Sequence, residues 1–207
     1  LKDVNEDAYK HEYLGEETGT GLEVFNNVTI RTITDKEITF FENIIQGLDF
    51  GYAADPLCFE QMQFDNKRKK LYIFNEIAGI GIKNSMFANK LTDEQRTDIT
   101  LADSANPKDI DELREDYRIN VRGASKAPGS RDYGMKYLQD LEEIIIDSER
   151  CPLAAAEFVN YALMTDRYGE VINKFPDKDD HAIDAVRYGC SLSIVQARVE
   201  KKRSKFK

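Results

Sequence analysis

The chain has 207 residues, enough for one domain with a sizeable core, and its 38 acidic against 29 basic side chains give a formal net charge of −9. Taken as a sum, that charge argues against a nucleic-acid partner. The three cysteines are odd in number and lack CxxC spacing, which argues against disulfides and a zinc cluster. No run of 18 apolar residues and no charged-then-apolar leader is present, so neither a membrane helix nor a secretory signal is predicted. Because the chain begins at Leu1 and not at Met, we expect a piece of a longer protein.

The first half of the chain predicts an arm followed by three strands. Residues 1–36 are polar, rich in Gly, Glu and Thr, and show little periodicity, which predicts an interdomain arm or linker outside the core. Asn43–Asp49 and Leu57–Asp65 predict two strands. The basic turn "DNKRKK" follows, and Leu71–Ile77 predicts a third strand that returns antiparallel as a β-hairpin extension.

The second half predicts helices that alternate with short strands, which indicates an α/β domain with a mixed sheet flanked by helices over residues 37–197. Residues 198–207, which include "KKRSKFK", are expected to form a basic tail. The predicted elements are helix Ile82–Leu91, strand Asp98–Asp103, helix Pro107–Tyr117, strand Ile119–Gly123, helix Asp132–Leu141, strand "EIIID", helix Pro152–Ala162, a hairpin around Tyr168-Gly169, and a last helix from about Lys178.

Two aspartates end predicted strands. In "GLDFGYAADP", Asp49 follows the apolar pair Ile44-Ile45. In "DITLAD", Asp103 ends the predicted strand Asp98–Asp103. Ligands of open α/β sheets bind at the carboxyl ends of the strands, and neighbouring strands lie about 4.8 Å apart, so two such acids could share a cation. Either residue taken alone is equally consistent with a cap or a turn.

A third group of polar side chains lies in "DKDDHAIDAVRYG". Helical spacing puts Asp180, His181 and Asp184 on one region of the surface, while Ala182 and its apolar neighbours would pack the helix on the sheet. Asp180 could also be only the N-cap of this helix. Carboxylates this close repel one another unless they are protonated or bridged by cations. A site of Asp with one His suits Mg²⁺ or Mn²⁺, and two such ions can activate a water and stabilise a leaving oxygen.

Several segments together resemble the C-terminal nuclease domain of phage terminase large subunits, the motors that cut concatemeric viral DNA and package it. These segments are "HEYLGEETGTGLEVF", "GLDFGYAADP", "LADSANPKDIDELR" and "DDHAIDAVRY". The resemblance implies a ribonuclease H-like fold and an endonuclease that uses two Mn²⁺ or Mg²⁺ ions. It assigns the metal-binding and catalytic roles to Asp49, Asp103 and Asp184 together with His181, and an outer metal-ligand role to Asp180.

The resemblance also implies partners and a location. Double-stranded DNA would be the substrate, and the full-length protein would add an ATPase domain and bind the terminase small subunit and the procapsid portal in the cytoplasm of an infected bacterium. No GxxxxGK[ST] pattern is present, so we expect no ATP hydrolysis by this chain. Lys126 and Arg131, in the loop "GASKAPGSRD", and Lys67 and Arg68, in the hairpin turn, are candidates for DNA phosphate contacts. Each is equally consistent with a solvated surface residue.

Two alternatives remain open from the residues. Another ribonuclease H-like nuclease, such as a Holliday junction resolvase or a transposase-type enzyme, would share the carboxylates and lack "HEYLGEETG" and "HAIDA". A non-catalytic DNA-docking module would share the fold, although it would have no need of the three acids. A serine hydrolase is remote, because no GxSxG accompanies the His and Asp residues.

Overall fold

The computed structural model of the protein describes residues 21–51, 54–172 and 174–204. Seven strands of these residues form one mixed sheet in the order β1-β7-β4-β3-β2-β5-β6, and two more form a separate small hairpin, β8-β9. The strands are β1 (Val28–Ile30), β2 (Ile44–Asp49), β3 (Leu57–Asp65), β4 (Lys70–Gly79), β5 (Thr100–Ala102), β6 (Val121–Gly123), β7 (Glu143–Ile146), β8 (Met164–Thr165) and β9 (Val171–Ile172).

The centre of the sheet is the antiparallel meander β2-β3-β4, which the sequence predicts. Outside it, β5 and β6 run parallel to β2 on one side, while β7 and β1 run parallel to β4 on the other. The long β3–β4 hairpin is therefore part of the main sheet. The hairpin predicted around Tyr168-Gly169 is confirmed as β8-β9.

Helices flank the sheet. They are α1 (Asp35–Ile38), α2 (Asn84–Lys90), α3 (Asp93–Thr97), α4 (Pro107–Glu115), α5 (Ser130–Gln139), α6 (Pro152–Asn160), α7 (His181–Gly189) and α8 (Ser191–Ser204). Each predicted helix is present with boundaries that differ by a few residues, except that the last one is divided into two. The two short helices α1 and α3 are not predicted by the sequence. The described helices include none that is long and apolar enough to cross a membrane. All three cysteines are buried and free.

Helix α7 lies against the middle of the sheet. Its apolar face, which includes Ala182 and Ile183, is fully buried, as the sequence predicts. The helix approaches β2 so closely at Gly47 that a Cβ atom there would lie 1.8 Å from the carbonyl oxygen of Ala185. Because this contact is between backbones, it sets the distance between α7 and the strand that ends at Asp49.

The stretch from residue 21 to residue 36 belongs to the folded domain, which corrects the expectation that residues 1–36 form an arm outside the core. Val24, Phe25 and Ile33 are buried, and β1 pairs with β7 at the edge of the sheet. Asp147 fixes this stretch to the domain, because its carboxylate accepts hydrogen bonds from the Ile33 and Arg150 backbone N–H groups. Residues 1–20, which carry "HEYLGEETG", lie outside the described residues.

The predicted basic tail also differs from the structure in part. Helix α8 continues through Ser204, so residues 198–204 extend a helix of the domain. The last three residues lie outside the described part of the chain.

Candidate metal centre

Asp49 ends β2 at the edge of the sheet, and burial dominates its electrostatics. Its side chain is 14% exposed. Burial raises the pKa of the Asp49 carboxyl to about 7, and the negative charges of Asp184 and Asp103 raise it further, while a hydrogen bond to His181 opposes this shift. The parallel pairing of β2 with β5 puts Asp49 and Asp103 at neighbouring strand ends, and Asp184 is close enough for its charge to act on the Asp49 carboxyl.

Asp103 follows β5 directly and is held against the end of β2. Its backbone N–H donates to the Leu48 carbonyl oxygen at 3.0 Å. Its Oδ1 accepts from the Ala105 N–H at 2.8 Å and contacts the ammonium group of Lys126. Asp103 is thus a turn residue that lies beside the end of β2, and its metal-binding role stays a prediction.

Helix α7 brings the third group of side chains to the same edge. His181 Nδ1 lies 3.2 Å from Asp49 Oδ2, and His181 Nε2 lies 3.7 Å from Asp55 Oδ1. Asp184, one turn further on, accepts two hydrogen bonds from the guanidinium group of Arg187, at 3.0 and 2.8 Å. The first turn of α7 is capped from another helix, because Glu157 Oε2 accepts from the Ala182 N–H at 2.7 Å.

Asp180 and Arg131 pair with each other, which gives both residues a structural contact that the sequence does not predict. Asp180 is the buried N-cap residue of α7, and its Oδ2 contacts Arg131 Nη2 at 2.5 Å. The same guanidinium group donates to the Pro176 carbonyl and to the Tyr161 hydroxyl group. Arg131 therefore fastens the start of α7 to α5 and α6 and does not present a free charge to a DNA phosphate. Asp180 engages that arginine through Oδ2, and its role as an outer metal ligand stays a prediction.

Lys67 and Arg68 lie at the far end of the sheet from Asp49. Cys58, near the start of β3, pairs with Asp49, and β3 then runs to Asp65. This length of strand places the turn about 25 Å from the acidic edge. The Asp65 carboxylate accepts from the backbone N–H groups of both basic residues. These two residues cannot share a phosphate contact region with the acidic cluster, whereas Lys126, which is 41% exposed, lies beside it.

The donor chemistry of the cluster fits a hard divalent cation. Carboxylate oxygens with one imidazole nitrogen are the ligands that Mg²⁺ and Mn²⁺ accept. The side chains as they stand are directed at partners within the chain, because Asp103 contacts Lys126 and Asp184 contacts Arg187. Among the described residues no three His, Cys, Asp or Glu side chains already surround one point as metal ligands would. The cluster therefore supplies the right atoms at one edge, with the negative charge offset by basic side chains.

Sequence reasoning missed three residues of this site. Arg187 could have been found, because it lies three residues after Asp184 on the predicted helix, where side chains meet. Glu157 could not, since it caps α7 from a helix 25 residues earlier in the chain. Gly47 gave no signal beyond being a glycine inside a strand, which often marks a close backbone approach.

Comparisons with known proteins identify the family and the fold. A family described as "Terminase RNAseH like domain" matches residues 49–191. The large terminase subunit of Bacillus phage SPP1 is 41% identical over 194 residues, which cover 91% of this chain and 46% of that protein, so the chain spans less than half of its relative. The crystal structure of the SPP1 large terminase nuclease domain with bound Mn has a TM-score of 0.78 at 37% identity, and it covers 82% of this chain and 98% of that one. The P22 large terminase nuclease domain shares the fold at 15% identity, with a TM-score of 0.61 over 83% of this chain and 92% of that one. The ribonuclease H-like fold expected from the sequence is confirmed.

Proposed function

Since the chain belongs to the terminase ribonuclease H-like family and is the nuclease domain of a phage terminase large subunit, we propose that it cuts concatemeric double-stranded viral DNA during genome packaging. The observation that carries this proposal is the placement of Asp49 and Asp103 at neighbouring strand ends, with α7 bringing His181 into contact with Asp49 and Asp184 within reach of its charge. The bound Mn in the SPP1 domain supports the metal dependence of the reaction.

Asp49, Asp103, Asp184 and His181 would hold the divalent ions, and two ions of Mn²⁺ or Mg²⁺ suit this number of donors. When bound, such ions lower the pKa of a water nucleophile and offset the charge that develops on the leaving oxygen of a phosphodiester. Asp49 is the central residue of the set, because it contacts His181 and its strand pairs with β5, which leads into Asp103.

The other side chains of the site orient these ligands and the DNA. His181 contacts Asp49 through Nδ1 and lies close to Asp55 through Nε2, so its ring is held between two carboxylates. Lys126 projects from the loop before α5 beside Asp103, where its ammonium group can bind a backbone phosphate next to the scissile one. No arrangement that reads base edges is evident in the described part of the site, so we expect weak sequence preference and strong salt dependence.

The wider role follows from the position of such a domain in a large terminase. The ATPase domain, the terminase small subunit and the procapsid portal are the proposed partners, in the cytoplasm of the infected bacterium. We expect no ATPase activity from this chain, because its sequence has no phosphate-binding GxxxxGK[ST] loop.

The experiment is cleavage of supercoiled plasmid with Mn²⁺, Mg²⁺ or EDTA. We expect nicking with either metal ion, none with EDTA, and loss of nicking in Asp49→Asn. The matched control is Asp65→Asn, which neutralises another strand-end aspartate at the opposite end of the sheet. It should cut like the unchanged protein. Retained cutting by Asp49→Asn, or DNA binding without cutting under either ion, would remove the assignment.

A further inference from the structure

Arg187 is a buried cation attached to one member of the acidic cluster. Its side chain is only 8% exposed, although arginine rarely lies inside a protein without a partner. Nε donates to Asp184 Oδ1 at 3.0 Å and Nη2 donates to Asp184 Oδ2 at 2.8 Å. Both oxygens of the carboxylate are thus engaged by one planar group, in the paired geometry that only arginine among the side chains can provide.

The stem of Arg187 is held in place by the neighbouring helix. It crosses α5 at Gly134, where a Cβ atom would lie 2.6 Å from Arg187 Cδ and 2.7 Å from Cγ. On the other side, the guanidinium carbon lies 4.4 Å from the centre of the Tyr188 ring. Because the stem and the head group are both confined, the position of the guanidinium group determines the orientation of the Asp184 carboxylate.

We propose that Arg187 is a positioning residue, which holds both Asp184 oxygens in the orientation that a divalent cation requires, with Gly134 providing the space for its side chain. This inference rests on the proposed function, since it takes Asp184 as a metal ligand. Each carboxylate oxygen has a second lone pair, so the two hydrogen bonds from Arg187 leave one site on each oxygen free for a cation. Partners of this kind orient metal ligands in many proteins.

The charge of Arg187 and its geometry predict opposite effects, which makes the proposal testable. A positive charge next to a cation site repels the cation, so charge alone predicts that Arg187→Gln binds metal more tightly. Positioning predicts weaker binding by the same variant. Arg187→Lys keeps the charge but cannot make the paired contact, so charge alone predicts no change and positioning again predicts weaker binding.

A third variant perturbs Arg187 without replacing it. Gly134→Ala would add a methyl group where the Arg187 stem passes, and it would force the guanidinium group away from Asp184. In an open helix this substitution would be stabilising, because alanine favours helix over glycine. The control is Arg198→Lys on α8, since Arg198 also packs on α5, with its guanidinium carbon 5.5 Å from the centre of the Tyr133 ring.

The measurement is Mn²⁺ binding by isothermal titration calorimetry without DNA, at a temperature where circular dichroism shows each variant folded. We expect Mn²⁺ to bind about 10- to 100-fold more weakly to Arg187→Lys, Arg187→Gln and Gly134→Ala, and unchanged to Arg198→Lys. A purely structural role would lower the melting temperature of the three variants and leave their Mn²⁺ affinity at the original value, which would overturn the inference. Tighter binding by Arg187→Gln would also overturn it, in favour of charge alone. If the unchanged protein binds no Mn²⁺ without DNA, this inference fails, whereas the proposed function is still decided by plasmid nicking with Mn²⁺.

Discussion

The close approach of α7 to β2 predicts that Gly47→Ala is among the most damaging single-methyl changes in the protein. A Cβ atom at this position would lie 1.8 Å from the Ala185 carbonyl oxygen, 2.7 Å from the Ala185 carbonyl carbon and 2.8 Å from the Gly189 backbone nitrogen. Real Cβ atoms essentially never approach another atom within 3.0 Å, so α7 must retreat from the sheet by about 1.2 Å or more. All the opposing atoms belong to the backbone, which means that no side-chain rotation can relieve the overlap.

Two effects of different size follow from that displacement. Overpacking of a tight core costs about 1–3 kcal/mol and more when backbone must move, so we expect Gly47→Ala to lose at least about 3 kcal/mol of unfolding free energy. Asp184 and His181 move with α7 while Asp49 stays on β2, and a displacement of about 1 Å in a catalytic arrangement costs roughly 100-fold in rate.

Urea denaturation followed by circular dichroism measures the first effect, and plasmid nicking with Mn²⁺, at a temperature where the variant is folded, measures the second. Gly21→Ala is the control, because an added Cβ there meets nothing within 4 Å and only its positive φ costs about 1–2 kcal/mol. Gly47→Ala with the original stability and the original nicking rate would show that this contact does not set the position of α7.

The remaining predictions concern the pH dependence, the capping of α7 and the edge of the domain. The pKa of Asp49 is about 7 in the folded state and about 3.9 unfolded, so its stabilising effect is complete below about pH 4 and is lost as the pH rises through 7. In EDTA, urea denaturation should therefore show Asp49→Asn to be as stable as the unchanged protein near pH 4. At pH 8 the variant should be about 2–4 kcal/mol more stable. Equal free energies of unfolding for the two proteins at both pH values would contradict this. Glu157→Ala should lower the free energy of unfolding by about 1–2 kcal/mol because α7 loses its cap. Glu157→Gln should lower it less, because an amide oxygen still accepts hydrogen bonds. Identical losses for the two variants in the same assay would rule out the capping role. A chain that begins at residue 37 should have a free energy of unfolding about 5 kcal/mol lower than one that begins at residue 21, because it lacks β1 and three buried apolar side chains. Matching denaturation midpoints for the two chains would refute this.

The long strands of the sheet could be predicted from the sequence, whereas its short edge strand could not. Leu57–Asp65 has nine residues of strand-forming character and is confirmed residue for residue as β3. Strand β1 has only three residues, Val28–Ile30, and it exists because it pairs with β7, more than 110 positions away. A three-residue segment in polar surroundings carries too little local preference to be recognised, and its partner strand is what makes it a strand.

The acids of the site could be predicted because their placement follows from local rules. Asp49 and Asp103 stand at strand ends, and Asp184 stands one helical turn from His181, so each position could be derived from the periodicity of its own element. Lys126 lies beside the acids as predicted, whereas the contacts of Arg131 could not be derived in this way, since Asp180, its partner, is 49 positions away and no local pattern reveals it. In general, the distribution of charge across a site depends on contacts between distant segments, which periodicity does not encode.

Contacts between distant segments also explain how the acids can stay together. The raised pKa of Asp49 costs the folded state up to about 4 kcal/mol at neutral pH, which is a large part of the stability of an ordinary domain. Burial of Ile183 and Val186 on the inner face of α7 contributes about 1.5–3 kcal/mol each, which is enough to offset that cost. The backbone positions of the acidic edge are therefore held by the packing of α7 on the sheet. If the proposed ion binds there, its affinity should depend on the side chains that orient the carboxylates more than on folding of the chain around the ion.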